Sequence, residues 1–114
     1  MPDSSWTILF YKNKKGESPI EKFLDTIHDP KALEAVVDAF DLIEEFGVGP
    51  HLGRLCKHIK DDIWELRPDR IRLFYFTYTG RHVVILHGYY KQSRKAPKHE
   101  IDIALRRWRE WIGQ

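Results

Sequence analysis

The spacing of apolar residues changes once along this chain, at the "GVGP" of residues 47–50. Before that point apolar side chains recur every three or four residues, which is typical of helices with one buried face. Beyond it they form segments rich in Ile, Val, Phe and Tyr, which predict strands. A chain of 114 residues with this order of elements is expected to form a single α+β domain, residues 1–114, with helices packed against a sheet.

An opening strand and two helices are predicted before the break. Residues 6–12, "WTILFYK", are apolar and aromatic and predict the strand. Ser18 and Pro19 then supply an N-cap and a first helical residue, and the Glu21 carboxylate completes a capping box. The second helix begins at Pro30 and ends at the same break. The predicted buried stripes are Ile20, Phe23, Leu24 and Ile27 in the first helix and Leu33, Val36, Val37, Phe40 and Ile43 in the second.

An antiparallel meander of three strands and a last helix are predicted after the break. The strands are residues 63–68, 70–79 and 82–91, with a tight turn at "TGRH" between the last two. The last helix opens at Pro97. Its apolar stripe is Ile101, Ala104, Leu105, Trp108 and Ile112.

The middle strand of the meander has two chemically different faces. Alternation predicts that one face, Ile71, Leu73 and Tyr75, belongs to the core. The opposite face is basic at one end and aromatic at the other, and we interpret it as partly buried and partly a binding surface. Its members are Arg70, Arg72, Phe74 and Phe76.

The charged residues are unevenly distributed along the chain. Residues 1–50 carry five basic and ten acidic side chains, whereas residues 51–114 carry fourteen and seven. Part of the acidic excess lies on the outer face of the predicted helical hairpin, at Glu34, Asp38, Asp41, Glu44 and Glu45. The basic second part is expected to meet a polyanion.

Several classes of protein are excluded by what the sequence lacks. Cys56 is the single cysteine, so no internal disulfide is expected and a reducing compartment fits best. The amino terminus has no basic segment followed by a long apolar run, which predicts a cytoplasmic protein without a membrane partner. Glycine-rich phosphate loops and the common hydrolase and zinc motifs are missing, so we expect neither a cofactor nor a metal.

Basic and aromatic residues are concentrated on or beside the predicted sheet. Lysine and arginine bind phosphates, and aromatic rings stack on unpaired bases, so this combination favours single-stranded nucleic acid. Metal-free cleavage of RNA would need a base for the 2′-OH proton, an acid for the departing 5′-oxygen, and fixed cations beside the phosphorus. The candidate residues are Lys57, His58, Lys60, Arg67, Arg70, Arg72, His87, Tyr89, Tyr90, Lys91, Arg94 and Lys95.

Three segments resemble the HigB-like branch of the RelE/ParE superfamily, the toxins of bacterial and phage toxin–antitoxin modules. They are "WELR" at residues 64–67, "RLFY" at 72–75, and "LHGYYK" at 86–91 followed by Pro97 and Glu100. The resemblance implies the RelE/ParE-like fold: an N-terminal strand, a helical hairpin, an antiparallel meander and a C-terminal helix. Gln92 and Ala96 depart from a paired lysine and a Thr-Pro found in many relatives.

The resemblance also implies a function: a ribosome-dependent mRNA endonuclease that inhibits translation and is neutralised by an antitoxin of the helix-turn-helix type. Arg67 and Arg72 would stabilise the phosphate, and Lys57 and Lys91 would position the strand. The candidates for acid and base are Tyr89, Lys95 and His87. Further RNA-binding candidates are His58, Lys60, Arg70, Tyr90 and Arg94.

Two other functions stay open at the level of sequence. One is inhibition of DNA gyrase without nuclease activity, as in the ParE branch, and the other is an inactive relative of phage origin. Arginines that prove buried and paired would favour the gyrase inhibitor.

Individual candidates also have simpler interpretations. Arg67 could form a surface ion pair with Glu65 or Asp69. His87 could be a hydrogen-bonded core residue. Tyr89 and Tyr90 point to opposite faces of a strand, so at most one of them reaches the predicted binding surface.

Overall fold

Five strands form one sheet. The structure, a computed structural model, describes residues 5–113. The strands are β1 (Thr7–Phe10), β2 (Cys56–Lys60), β3 (Ile63–Leu66), β4 (Ile71–Tyr78) and β5 (His82–Tyr90). Their order in the sheet is β1-β5-β4-β3-β2; β1 runs parallel to β5, and the other neighbouring strands are antiparallel. The prediction of one domain over residues 1–114 includes residues 1–4 and Gln114, which lie outside the described residues.

The helices begin and end at the residues that carry local capping signals. They are α1 (Pro19–Asp25), α2 (Pro30–Phe46) and α3 (Lys98–Ile112). The Ser18 hydroxyl accepts a hydrogen bond from the Glu21 backbone N–H at 3.2 Å, as the predicted N-cap requires. Gly47 ends α2 with a φ of 76°, a conformation that glycine adopts without a steric penalty.

The sheet lies between the helical hairpin and α3. On one face, the Phe23 ring of α1 lies so close to Gly88 that an added Cβ would be 2.5 Å from it. On the other face, α3 covers the aromatic end of β4, where Trp111 packs edge-on against Phe76 at 6.5 Å between ring centroids. The predicted α+β architecture is therefore confirmed. Within the described range, none of the helices is long and apolar enough to cross a membrane.

The strand β2 was not predicted. Its sequence, Cys56–Lys60, contains two lysines and a histidine, and it forms the outer edge of the sheet beside β3. An edge strand is open to solvent along one side and commonly carries charged residues. The alternation that identifies central strands is therefore weak here, and a 3₁₀ segment (Pro50–Leu55) occupies the preceding residues.

Two predictions about side-chain exposure were wrong. Leu33 and Val37 are 41% and 50% exposed, because the buried stripe of α2 runs through smaller residues on a neighbouring line. Those buried residues are Ala32, Val36, Ala39 and Ile43. Ile112, in the final turn of α3, is 51% exposed because the helix extends past the layer that covers it.

The position of Arg70 also differs from the prediction. β4 begins at Ile71, so Arg70 is exposed in the turn that precedes the strand rather than on its basic face. Asp69 in the same turn has a φ of 52°. The aromatic part of the predicted binding face, Phe74 and Phe76, is buried beneath α3.

Candidate functional site

Two adjacent rows of side chains meet where β2 and β4 begin and β3 and β5 end. In the first row Lys57 pairs with Glu65, Glu65 with Phe74, and Phe74 with His87. Residues paired across strands place their side chains on the same face. This face is the one that α3 partly covers.

The second row contains the two arginines that the sequence singles out. Arg72 pairs with Tyr89. Arg67 comes one residue after Leu66, which pairs with Leu73, so Arg67 stands beside Arg72 in the same register. Strand pairing thus brings two guanidinium groups and a phenol to one end of the sheet, although they are widely separated in sequence.

Arg67 has a buried nitrogen without a hydrogen-bond acceptor. Its Nε lies 3.9 Å from the Glu65 Oε1, too far for a hydrogen bond. That Nε is buried and lacks a partner among the described residues, while the whole side chain is 31% exposed. An unpaired buried donor is unfavourable by about 1–3 kcal/mol. Because 31% of its side chain stays exposed, Arg67 is nevertheless accessible to an anion from solvent.

Arg72 is held more tightly than Arg67. It is 6% exposed, and one terminal nitrogen donates to the backbone carbonyls of Asp69 and Ile71 at 2.8 Å each. Burial lowers the pKa of Arg72 from its ordinary value, and the Glu65 carboxylate opposes that change. Arginine still stays charged at neutral pH, so Arg72 places a fixed positive charge under the site.

Tyr89 donates its hydroxyl proton to the buried carboxylate of Glu65. The distance from Oη to Oε2 is 2.8 Å. Burial, followed by this hydrogen bond and the nearby negative charge, raises the pKa of Tyr89 well above its ordinary value. The phenol therefore stays protonated and holds Glu65 in place.

Both nitrogens of His87 face a neighbour. Nε2 lies 2.6 Å from Oε1 of Glu100 on α3, and Nδ1 lies 3.4 Å from a terminal nitrogen of Arg107. Arg107 carries no acceptor, so Nδ1 accepts and Nε2 donates to Glu100. Burial lowers the pKa of His87 and outweighs the opposing effect of Glu100. The imidazole is therefore a neutral link between β5 and α3.

A basic cleft opens beside these rows, between β2 and the start of α3. Its volume is about 520 Å³. Four lysines line it, namely Lys57, Lys60, Lys95 and Lys98. The carboxylate of Asp102 is paired with the Lys98 ammonium at 2.8 Å, which lowers the pKa of Asp102. The excess positive charge suits a polyanionic strand.

The remaining predicted residues lie outside the two rows. Tyr90 is on the opposite face, where its ring packs edge-on against Phe23 at 5.6 Å. His58 is exposed beside Trp64, and its Nε2 contacts the Asp61 carbonyl at 2.7 Å. Exposed side chains in the turn before β4 and the loop after β5 belong to Arg70, Lys91 and Arg94.

The central carboxylate of the site, Glu65, was not among the site residues predicted from the sequence. Glu65 was considered only as a surface partner of Arg67, yet it is 4% exposed. The signal available in the sequence was its spacing, because Glu65 and Arg67 are two residues apart and thus share a face of an extended chain. Glu100 belongs to the segment that resembles the HigB-like branch, but its contact with His87 and that of Arg107 were not predicted, since α3 meets β5 only in the folded chain.

Comparison with known proteins finds a matching protein family, a similar named protein and a similar solved structure. The family model for phage-derived Gp49-like proteins matches residues 22–109. A protein of Mycobacterium tuberculosis named "Probable endoribonuclease HigB1", found in two strains, is 30% identical over 115 aligned positions, covering 96% of this chain and 88% of that protein. The crystal structure of the toxin–antitoxin complex RelBE2 from the same species contains a chain with a TM-score of 0.52 and 22% identity, covering 78% of this chain and 94% of that one. At that identity the structural match shows a shared fold.

Proposed function

Because this chain belongs to the phage-derived Gp49-like family, we propose that it is the toxin of a type II toxin–antitoxin system, a ribosome-dependent mRNA endoribonuclease that inhibits translation. The similarity to a protein named as an endoribonuclease, over nearly the full length of both chains, supports the enzymatic activity. The fold shared with a chain of a toxin–antitoxin complex is consistent with it.

The single observation that carries the proposal is the pair of adjacent arginines at one end of the sheet, with Arg72 buried and fixed and Arg67 31% exposed. A partly exposed guanidinium gains charge-assisted hydrogen bonds when a phosphate arrives. Guanidinium groups match two phosphate oxygens with their planar fork. The site therefore favours an anion over an apolar or neutral ligand.

The reaction that suits these groups is attack of the RNA 2′-OH on the adjacent phosphorus, followed by loss of the 5′-oxygen. Arg67 and Arg72 stabilise the charge that accumulates on the phosphate, a role typically worth about 10²–10³ in rate. Lys57 and Lys91 hold the strand. Lys95, which lines the basic cleft, protonates the leaving 5′-oxygen, because Tyr89 and His87 are engaged in hydrogen bonds. The proton of the attacking 2′-OH passes to solvent water.

This chemistry needs no metal ion, because arginines and lysines supply the positive charge. Replacing the 2′-OH of the scissile nucleotide by hydrogen should abolish cleavage. Product ends carrying a 2′,3′-cyclic phosphate and a 5′-OH are expected. A 5′-phosphate on the downstream fragment would contradict attack by the 2′-OH.

Inhibition of DNA gyrase is the weaker alternative. Arg72 meets the condition of a buried, bonded arginine, but Arg67 stays 31% exposed and its contact with Glu65, at 3.9 Å, is too long for a hydrogen bond. The related protein is named as an endoribonuclease. Both observations favour the nuclease.

The partner that neutralises the toxin is an antitoxin with a helix-turn-helix domain. The fold shared with a chain of a toxin–antitoxin complex supports an antitoxin partner, and the helix-turn-helix type is what the resemblance of the sequence to the HigB-like branch implies. Co-expression with the product of the adjacent reading frame should yield a stable complex that binds the promoter of the pair. Failure of the two chains to co-purify would contradict the proposal.

The decisive experiment adds the purified protein to a cell-free translation reaction and maps new 5′ ends of the message by primer extension. Cleavage should require ribosomes and fall about 10²–10³-fold in Arg67→Ala. Arg67→Lys should recover little activity, because an ammonium cannot replace the planar fork.

Arg106→Ala is the matched control. It removes the same charge from an exposed position on α3, where Arg106 lies 3.8 Å from Glu110, and it should cleave like the wild type. Intact message with the wild-type protein would refute the nuclease and shift attention to gyrase.

A further inference from the structure

Two buried charged side chains stand at the same place in this fold. Of the charged residues in the described part of the chain, Glu65 and Arg72 are the ones with less than a tenth of their surface exposed, at 4% and 6%. Taking a charge out of water is costly unless it is paired and hydrogen-bonded. A carboxylate inside a site proposed to bind phosphate therefore requires an explanation, since its own charge repels the substrate.

The two oxygens of Glu65 face different neighbours. Oε2 accepts the Tyr89 hydroxyl at 2.8 Å, and Oε1 faces the Nε of Arg67 at 3.9 Å. The charge of Glu65 also acts on Arg72, whose protonated form it favours. Glu65 is thus held by a phenol, lies beside the guanidinium of Arg67 and acts electrostatically on that of Arg72.

Arg67 and Arg72 would repel one another without this carboxylate. They are neighbours across β3 and β4, and the charge of Arg67 disfavours the protonated form of Arg72. Like charges placed on adjacent strands are destabilising. A long, partly exposed side chain such as Arg67 would then turn outward to water, which restores its hydration.

We propose that Glu65 is a positioning residue for RNA cleavage: its carboxylate, held by Tyr89, keeps the guanidinium of Arg67 turned inward beside Arg72 before the substrate arrives. This role rests on the proposed nuclease function, but the positioning itself is a property of the free protein. Glu65 does not touch the RNA and takes no proton in the reaction.

Glu65→Gln keeps the shape of the side chain and an oxygen for Tyr89, but removes the charge. Single-turnover cleavage on programmed ribosomes should fall about 10–100-fold at saturating protein. Half-saturation should occur at an unchanged or lower protein concentration, because a negative charge has left a cationic surface. If Glu65→Gln acted only by unfolding the protein, the cleavage rate would instead fall in proportion to the folded fraction, which thermal melting measures.

The chain offers a matched control in Glu110. Its Oε1 accepts the Tyr11 hydroxyl at 2.7 Å, and its Oε2 lies 3.8 Å from Arg106. The same kinds of contact therefore occur outside the site. Glu110→Gln should leave both the rate and the half-saturation of cleavage unchanged.

A second measurement tests the position of the Arg67 guanidinium in the absence of RNA. The Nε–H signal of Arg67, assigned in ¹⁵N-arginine NMR spectra by its loss in Arg67→Lys, should exchange slowly with water in the wild type. In Glu65→Gln it should exchange at the rate of an exposed arginine. Glu65→Asp, which keeps the charge but shortens the side chain, should be intermediate, and it replaces the glutamine variant if that one does not fold.

The outcomes separate the two proposals. Loss of Arg67 protection together with slower cleavage and retained affinity supports the role of Glu65. Unchanged protection, an unchanged rate, or equal loss of rate and affinity overturns it. If the wild-type protein cleaves nothing, the nuclease proposal fails, and the NMR result alone then decides whether Glu65 positions Arg67.

Discussion

Replacing Gly47 by alanine should destabilise the fold by about 1–6 kcal/mol. Gly47 has a φ of 76° and a ψ of −164°, a region open to glycine in which other residues lose about 1–3 kcal/mol. An added Cβ would also lie 2.5 Å from Cε2 of Trp6, and overpacking of this kind typically costs about 1–3 kcal/mol. Alanine also lowers the conformational entropy of the unfolded chain, which offsets about 0.4–1 kcal/mol of this destabilisation.

Gly16 provides a control with a similar φ but open surroundings. Its φ is 82°, and nothing lies within 4 Å of a Cβ built there. Gly16→Ala should therefore cost about 1 kcal/mol, which is the backbone penalty alone less the gain in the unfolded state. The larger loss expected for Gly47→Ala combines the contact with the Trp6 ring and the backbone region of Gly47, which is restricted to glycine.

Urea unfolding followed by tryptophan fluorescence gives both free energies. Making Gly47→Ala in a Trp6→Ala background should recover about 1–3 kcal/mol of the loss, because the obstructing ring is gone. Equal effects of Gly47→Ala in the two backgrounds would refute the steric part of the reasoning. Equal effects of Gly16→Ala and Gly47→Ala would refute it as a whole.

Three further predictions concern the site. Tyr89→Phe removes a hydrogen bond to a buried carboxylate and should lower the free energy of unfolding by about 1.5–3 kcal/mol in urea titrations. Tyr78→Phe, at a residue 46% exposed, should change it by less than about 0.5 kcal/mol. Similar values for the two variants would contradict a contribution of the Tyr89–Glu65 hydrogen bond. Burial lowers the pKa of His87 in the folded state, so the unfolded chain binds more protons than the folded one below about pH 6.5. The contribution of neutral His87 to the free energy of unfolding is therefore present above the unfolded pKa and is lost as the pH falls through the folded pKa. The melting temperature should therefore drop more between pH 7.5 and 5.5 in the wild type than in His87→Gln, and parallel curves would contradict this. Lys57→Ala should reduce the salt dependence of RNA binding by about 0.7 in log–log slope if it contacts one phosphate, whereas Lys15→Ala should not, as titrations by fluorescence anisotropy would show.

The helices could be predicted because their signals are local. Ser18 and Asp29 accept hydrogen bonds from backbone N–H groups two or three residues onward, and Gly47 ends α2 through its own backbone conformation. Such contacts depend on the immediate neighbours in sequence. Which face of α2 is buried depends instead on the sheet beneath it, and so the exposure of Leu33 and Val37 was predicted wrongly.

The sheet was predictable in its centre and not at its edge. β4 and β5 are apolar enough on both faces to be recognised, since each is covered by helices on both sides. β2 is held by pairing with β3, and its own side chains are largely exposed. Its existence follows from hydrogen bonds with another segment rather than from its composition.

The types of residue in the candidate site could be read from the sequence, but their arrangement could not. The sequence by itself determined that arginines, lysines and aromatic rings lie on the strands after the break, because alternation and capping act over a few residues. Tertiary structure decided that Arg67 and Arg72 adjoin, that Glu65 is buried beside Arg67, and that Glu100 of α3 contacts His87. The physical reason is that strand register and burial arise from pairing between distant segments, and both the desolvation of a charge and its interaction with another charge depend on those distant neighbours.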